Sequence, residues 1–312
     1  MFGLLKRGTT AKGRIGLAFN GAQVAVAVVS HQGASAVLER CERLPVDAAD
    51  GAEAIKAALR AAGLPRLPVS IVLRPADYQL ALVEAPDVPP AELRAAMRWR
   101  LKDAIDFPVE DAVIDVFDVP AQNRSRQGRM VYAVAARRSA VAGYSAALAA
   151  VPTFDVIDVP ELCLRNLASA LPEAGGGVAL LYLGETAATV VLIRGTTFYL
   201  ARQMSLSAAL PRAAGGDAGR SLDSAAIVLE LQRSLDYYER HFDQPPITRI
   251  VISPGGPQAQ VLAAQLSRET GLDVTILDLN SVLRCTQPLD PAIQEGCVMA
   301  VGAALREERR TL

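Results

Sequence analysis

Two turns in this chain sit where phosphate chemistry would be done, and neither carries the side chain that such chemistry needs. Asn20-Gly21 separates an apolar strand that begins at Arg14 from the alternating run Ala22 to Val29. Gly184-Glu185-Thr186 separates the strand that begins at Val178 from the β-branched run Thr189 to Ile193. Asn-Gly between apolar runs is a strong hairpin signal, because both residues tolerate positive φ. In duplicated folds that hydrolyse nucleotides, each such hairpin cradles phosphate and carries a carboxylate that organises the metal. Here the strands entering the turns read Gly16-Leu17-Ala18-Phe19 and Leu181-Tyr182-Leu183-Gly184, with no Asp in either. Magnesium takes hard oxygen ligands and usually needs one or two carboxylates besides phosphate. The scaffold reads as kept and the chemistry as lost.

Other candidate groups are weaker. Ser253-Pro254-Gly255-Gly256 follows a strand and precedes a helix, where glycines admit a ligand to the backbone and the helix start offers free N–H donors. A plain strand-to-helix turn explains it nearly as well. Gly215-Gly216-Asp217-Ala218-Gly219-Arg220 lacks the Gly-Lys-Ser/Thr of a phosphate loop and reads as a connection. His31 and His241 are the only histidines and lack metal-ligand spacing, which argues against a Ser-His-Asp or His-based metal centre. No carboxylate pair on facing strands points to glycosidase work. Arg124, Arg126 and Arg129, and Arg306, Arg309 and Arg310, read as solvated loop and helix-end charge. No catalytic and no metal-binding residue is assigned.

Composition narrows the classes further. A net charge of -1 from 32 basic and 33 acidic residues gives no reason to expect a nucleic-acid partner. Hydrophobic residues make up 51% but aromatics only 5%, which suits helices packed closely on sheets. Cys41, Cys163, Cys285 and Cys297 are scattered without C-x-x-C spacing and read as reduced, buried thiols. No apolar run reaches the roughly 18 residues of a membrane span, and Met1 to Arg7 lacks the features of a secretory signal. A cytoplasmic protein is expected.

The elements that must position the turns recur in the same order. Arg14 to Leu44 predicts three strands, Gly51 to Ala62 a helix stopped by Gly63 and Pro65, and Val69 to Leu73 a buried strand. From Gly177 the order begins again: strands to Arg202, a long helix Leu222 to Phe242, and a strand Arg249 to Ser253. A helix Gln258 to Thr270, a strand Val274 to Leu277 and a helix Gln294 to Arg306 close the chain. Between the halves, Arg74 to Ala136 breaks the repeat with a helix Ala91 to Ile105 and strands Ala112 to Val119 and Met130 to Ala135. The helix Ala140 to Ala150 and strand Phe154 to Val159 rejoin the body, and Pro160-Glu161 opens the helix that leads to the second half. The expectation is an α/β protein of two lobes around a cleft. Residues 1–73 and 137–171 form the first lobe, with a small α+β insert over 74–136. Residues 172–312 form the second lobe, with a helical subdomain around 206–246.

Several stretches resemble a known family. Val88-Pro89-Pro90-Ala91-Glu92-Leu93, Arg98-Trp99-Arg100-Leu101-Lys102-Asp103, and Pro108 to Asp115 carry most of the likeness. Glu230-Leu231-Gln232-Arg233-Ser234-Leu235-Asp236-Tyr237-Tyr238 carries much of the rest, with Met1 to Lys6, Arg249 to Gly256 and Ala300 to Leu305 in support. Together they resemble PilM, the cytoplasmic actin-like family of type IV pilus assembly, and most closely its MSHA-pilus relatives (MshI). The resemblance implies a duplicated actin-like (ribonuclease H-like) fold. It also implies a scaffold that binds the cytoplasmic tail of a bitopic, PilN-like inner-membrane protein beside the insert, with the assembly ATPase as a further partner. It places the protein at the inner face of the inner membrane.

Relatives that bind ATP have an Asp-Ile-Gly-Ser-like first hairpin, where this chain has Ala18 to Gly21, and a second Asp where it has Tyr182. The resemblance therefore implies a pseudo-ATPase that needs no cofactor. Any ATP would bind weakly, in a degenerate cleft formed by Asn20, Gly21, Gly184, Glu185, Arg233, Gly255 and Gly256. An ATP-binding or hydrolysing switch of the pilus or type II secretion platform is the alternative, and the type II secretion L protein shares the architecture. A sugar or acetate kinase of the same superfamily would need a catalytic Asp in the cleft, and none is evident.

Overall fold

Alternating apolar residues fix the pleat of the first hairpin, and the pleat fixes its register. In the computed structural model, which describes residues 13–20, 22–32, 35–46, 51–122, 128–149, 151, 153–184, 187–205 and 224–307, β1 (Gly13–Asn20) pairs antiparallel with β2 (Gln23–Gln32). Leu17 and Val26 face one core while Ala18 and Ala25 face another, and this alternation carries the ladder one rung further than expected, to Asn20–Gln23. Asn20 is thus the last strand residue rather than a turn residue, a correction to the sequence reading; Gly21 lies outside the described residues.

The strand β3 (Ser35–Pro45) pairs with β2, and helix α1 (Gly51–Ala61) leads to β4 (Val69–Val72), parallel to β1. The insert follows: β5 (Tyr78–Glu84), α2 (Pro90–Leu101), β6 (Ala112–Asp118) and β7 (Met130–Arg137), whose strands form an antiparallel sheet in the order β5-β7-β6. Leu93, Met97 and Leu101 seat α2 on one face of that sheet. The helix ends four residues earlier than predicted, because the chain turns to bury Phe107 ahead of Pro108. Then come α3 (Arg138–Leu148), β8 (Phe154–Asp158) and α4 (Pro160–Ser169), which has Pro160 in its first turn.

The second half repeats the pattern with β9 (Val178–Leu183), β10 (Ala187–Arg194), β11 (Thr197–Ser205), α5 (Ser224–His241), β12 (Arg249–Ile252), α6 (Gly256–Thr270) and β13 (Asp273–Ile276). Short α7 (Leu279–Val282) and β14 (Arg284–Cys285) precede α8 (Pro291–Ala304), whose N-cap Asp290 accepts from the Ile293 N–H at 2.8 Å. The two large sheets run β14-β3-β2-β1-β4-β8 and β11-β10-β9-β12-β13. The registers superpose: Leu17 faces Ile71 as Leu181 faces Ile252, and Asn20 meets Gln23 as the Gly184 N–H meets the Ala187 carbonyl at 3.0 Å. Strand β14 carries the second half of the chain onto the edge of the first sheet.

Each half also sends its last helix to the other. Helix α8 covers the first sheet and α4 the second, so Cys163, Leu164 and Leu167 of α4 share one core with Val298, Ala300 and Val301 of α8. Two glycines allow the approach. A Cβ on Gly16 would lie 1.9 Å from the Ala300 carbonyl oxygen, and one on Gly302 would lie 2.3 Å from that of Cys163. Gly302→Ala is expected to destabilise the fold by about 2–3 kcal/mol through overpacking, read as a lower urea midpoint at unchanged slope. Gly143, whose added Cβ meets nothing within 4 Å, is the control: Gly143→Ala in α3 should stabilise slightly.

Candidate functional site

The glycines predicted to lie at the cleft meet at the ends of β9 and β12. Gly184 closes the second hairpin, and the Leu183 N–H donates to Ser253 Oγ at 3.0 Å, tying that hairpin to the turn that follows β12. Gly255 is the N-cap of α6 and packs beside Leu183, while Gly256 begins the helix at φ +60, in the left-handed region. Asn20 belongs to the other lobe's hairpin, and Glu185, like Gly21, lies outside the described residues. Arg233 pairs with Glu230 at 3.4 Å on the exposed side of α5, and Glu230 also holds Arg202 at 3.3 Å. Of the predicted set, the structure thus gathers Gly184, Gly255 and Gly256, while Arg233 is engaged by Glu230. None of these four lines the cavity of about 520 Å³ described below.

The positions two residues before the Asn20–Gln23 rung and the Gly184–Ala187 bond are Ala18 and Tyr182. Ala18 is buried in the core shared by the lobes, and Tyr182 packs against the same core with its ring beside Gly184. Among the described residues no three His, Cys, Asp or Glu side chains are grouped to hold a metal ion. Positions 18 and 182 therefore present an apolar and an aromatic side chain and no carboxylate.

Two carboxylates that the sequence reading passed over lie close by. The register runs Ala18–Val72–Asp158, so Asp158 sits two strands across from Ala18 at the end of β8. Its side chain is 2% exposed, and Arg306 Nη1 contacts it at 2.7 Å. Arg306 was expected to be a solvated helix-end charge. It is instead 14% exposed and neutralises a buried carboxylate, because α8 ends beside β8. Arg129 pairs with Asp118 but stays exposed, as loop charge, while Arg124, Arg126, Arg309 and Arg310 lie outside the described residues. So do Met1 to Lys6 and the Gly215 to Arg220 stretch.

Glu161, in the first turn of α4, is the second. It is 2% exposed and accepts from the Tyr78 hydroxyl at 2.7 Å. Burial pushes its carboxyl above the usual range, against the hydrogen bond from Tyr78, and burial pushes the Tyr78 phenol up as well. Both line a cavity of about 520 Å³ where the first lobe, the insert and the second lobe meet. Its walls carry two guanidiniums. Arg137 lies over the Phe107 ring at 4.3 Å and pairs with Asp106 at 3.2 Å, and Arg202 lies over the Tyr237 ring at 5.7 Å with its buried Nε lacking a hydrogen-bond partner. The size suits a ligand or a short peptide segment. Its lining offers the Asp106 and Glu161 carboxyls and the Arg137 and Arg202 guanidiniums. The signal available in the sequence was Pro160-Glu161 at a helix start, which marks a helix and says nothing about burial.

Glu161 also sets a pH dependence. A buried carboxyl with a raised pKa keeps its proton in the folded state while the unfolded chain releases it, so stability is full below the unfolded value near 4.3 and falls as pH rises through the folded value. Glu161→Gln, which mimics the protonated form, should therefore raise Tm at pH 8 and lose that advantage towards pH 4, as followed by thermal melts across the range.

No protein-family model matches the sequence, and no curated protein matches it. Among solved structures, the chain is similar to the PilM-PilN type IV pilus biogenesis complex with a TM-score of 0.70 and 22% identity, over 95% of this chain and 98% of that one. It is also similar to a Bacteroides thetaiotaomicron protein with actin-like ATPase fold and unknown function, with a TM-score of 0.53 and 9% identity, over 95% of this chain and 100% of that one. At such identities the likeness speaks for the fold. With two sheets of one strand order, exchanged closing helices and a three-stranded insert, this chain has the actin-like fold.

Proposed function

We propose that this protein is a scaffold of type IV, MSHA-type pilus biogenesis that captures the cytoplasmic tail of a bitopic, PilN-like inner-membrane protein. In this reading the nucleotide cleft is degenerate and the chain is a pseudo-ATPase working at the inner face of the inner membrane, in reach of the assembly ATPase. The observation that carries it is a contrast between two places in the molecule. The hairpin positions 18 and 182 are given to an apolar core, while a peptide-sized cavity stands open beside the insert. The motif resemblance in the insert and in α5, and the likeness of fold to the PilM-PilN complex, support the same reading.

Titration with a synthetic peptide of the neighbouring bitopic protein's cytoplasmic N-terminus should give saturable binding. Glu161→Ala should weaken it by about tenfold, the cost of leaving a buried polar contact unmade. No binding up to millimolar peptide would sink the proposal.

A second reading, an ATP-dependent switch, draws on the convergence of Gly184, Gly255 and Gly256 at the second hairpin. Calorimetry with Mg-ATP separates the two. Micromolar affinity that collapses on chelating magnesium, or phosphate release above the buffer rate, would favour the switch. A flat titration and no phosphate release are expected.

A further inference from the structure

We infer that the insert is a strap that fixes the angle between the two lobes, so that this actin-like chain is held in one closed arrangement without a ligand. The insert grows from the first lobe between β4 and α3, and Tyr78, Val134 and Ala136 root it in the first lobe's core. Further along the same face of β7 it is fastened to the second lobe. The Tyr132 hydroxyl accepts from the Ala201 N–H at 3.0 Å and lies 3.3 Å from the Ala201 carbonyl, to which it donates, occupying both main-chain groups of one residue on the edge strand β11. Burial pushes that phenol up to about 12, so the hydroxyl stays a donor at any working pH.

Around this clasp, Phe117 stacks on Tyr132 with centroids 5.3 Å apart, and both rings meet Phe198 of β11 at 5.5 Å in near-perpendicular contacts. Gln122 adds a bond to the Tyr237 hydroxyl of α5 at 2.9 Å. A hinge between the lobes can open only if these contacts break together. An edge strand covered in this way also loses its freedom to pair with another chain. Tyr132, Ala201 and Tyr237 also line the cavity, so the strap forms part of its wall.

Interlobe distances test the strap directly. Spin labels on unnatural residues at the exposed positions 60 in α1 and 261 in α6 leave the native cysteines untouched and give one distance per molecule. The wild-type chain should show a single narrow distribution that Mg-ATP leaves in place. The double variant Tyr132→Phe with Gln122→Ala removes only the polar clasp; it should broaden the distribution about twofold and speed amide exchange of the 198–204 segment about tenfold, with unchanged circular dichroism. Tyr132→Ala should broaden it further. The inference is overturned if the wild type already shows two distances or shifts with Mg-ATP, or if the double variant matches the wild type. Because the double variant keeps the ring packing, it decides the matter even where Tyr132→Ala fails to fold. Peptide capture is measured separately, so a failed strap leaves the scaffold reading standing, and the reverse.

Discussion

The approach of α8 to two backbones at once is what the rest of this molecule depends on. On one side it lies against β1 at Gly16, on the other against α4 at Gly302, in both places closer than any side chain would permit. Because α8 belongs to the second half and covers the first sheet, and α4 does the reverse, the lobes cannot be separated without opening the core of each. Polar contacts hold the same junction. Asn166 Nδ2 donates to the Gly302 carbonyl at 3.0 Å, and Arg306, just past the end of α8, reaches Asp158. A buried ion pair of this kind adds little net stability while both partners are present, yet leaves several kcal/mol of uncompensated charge when either is lost. Its role is to specify where α8 ends. That fixes the height of α8 on the sheet, and so the position of Gly302 opposite Cys163.

Once the two cores are joined, the strand ends beneath the hairpins become interior. Ala18 has no room for a solvated carboxylate, because its neighbours are Val72 and the small residues of α8. The one carboxylate in that row, Asp158, is already satisfied by Arg306 and by the Val159 N–H at 2.9 Å. Charge at this end of the first sheet is thus spent on holding the fold. Glu161, Arg137 and Arg202 instead supply polarity around the cavity.

Much of this organisation was legible in the residues themselves. The repeated strand–turn–strand units, the insert that interrupts them and the helix opened by Pro160 follow from period, caps and breakers, which act over a few residues. Strand β5 escaped because Tyr78 to Glu84 is half-buried on both faces, so its alternation is blurred. Strand β14 escaped because two residues hold no pattern at all. The site was harder to read. Asp158, Glu161 and Arg306 gain their character from burial and from partners up to 148 positions away, a distance over which sequence pattern carries no information. The type of Arg233 fits a phosphate-facing role, yet α5 turns it towards Glu230 and solvent.

A fold that normally opens and shuts around a nucleotide has two requirements: charged groups at the hairpins and freedom between the lobes. In this chain the first hairpin position is apolar and the insert bridges the lobes. With Ala18 at this position the core closes beneath the first hairpin, and the aromatic contact of Phe117, Tyr132 and Phe198 closes the insert onto the second lobe. Each step buries apolar area, at about 25 cal/mol per Å², at the cost of a movable, hydrated cleft. Rigidity of this sort suits the capture of a flexible tail, since a preformed groove leaves only the tail's own ordering entropy to be offset on binding.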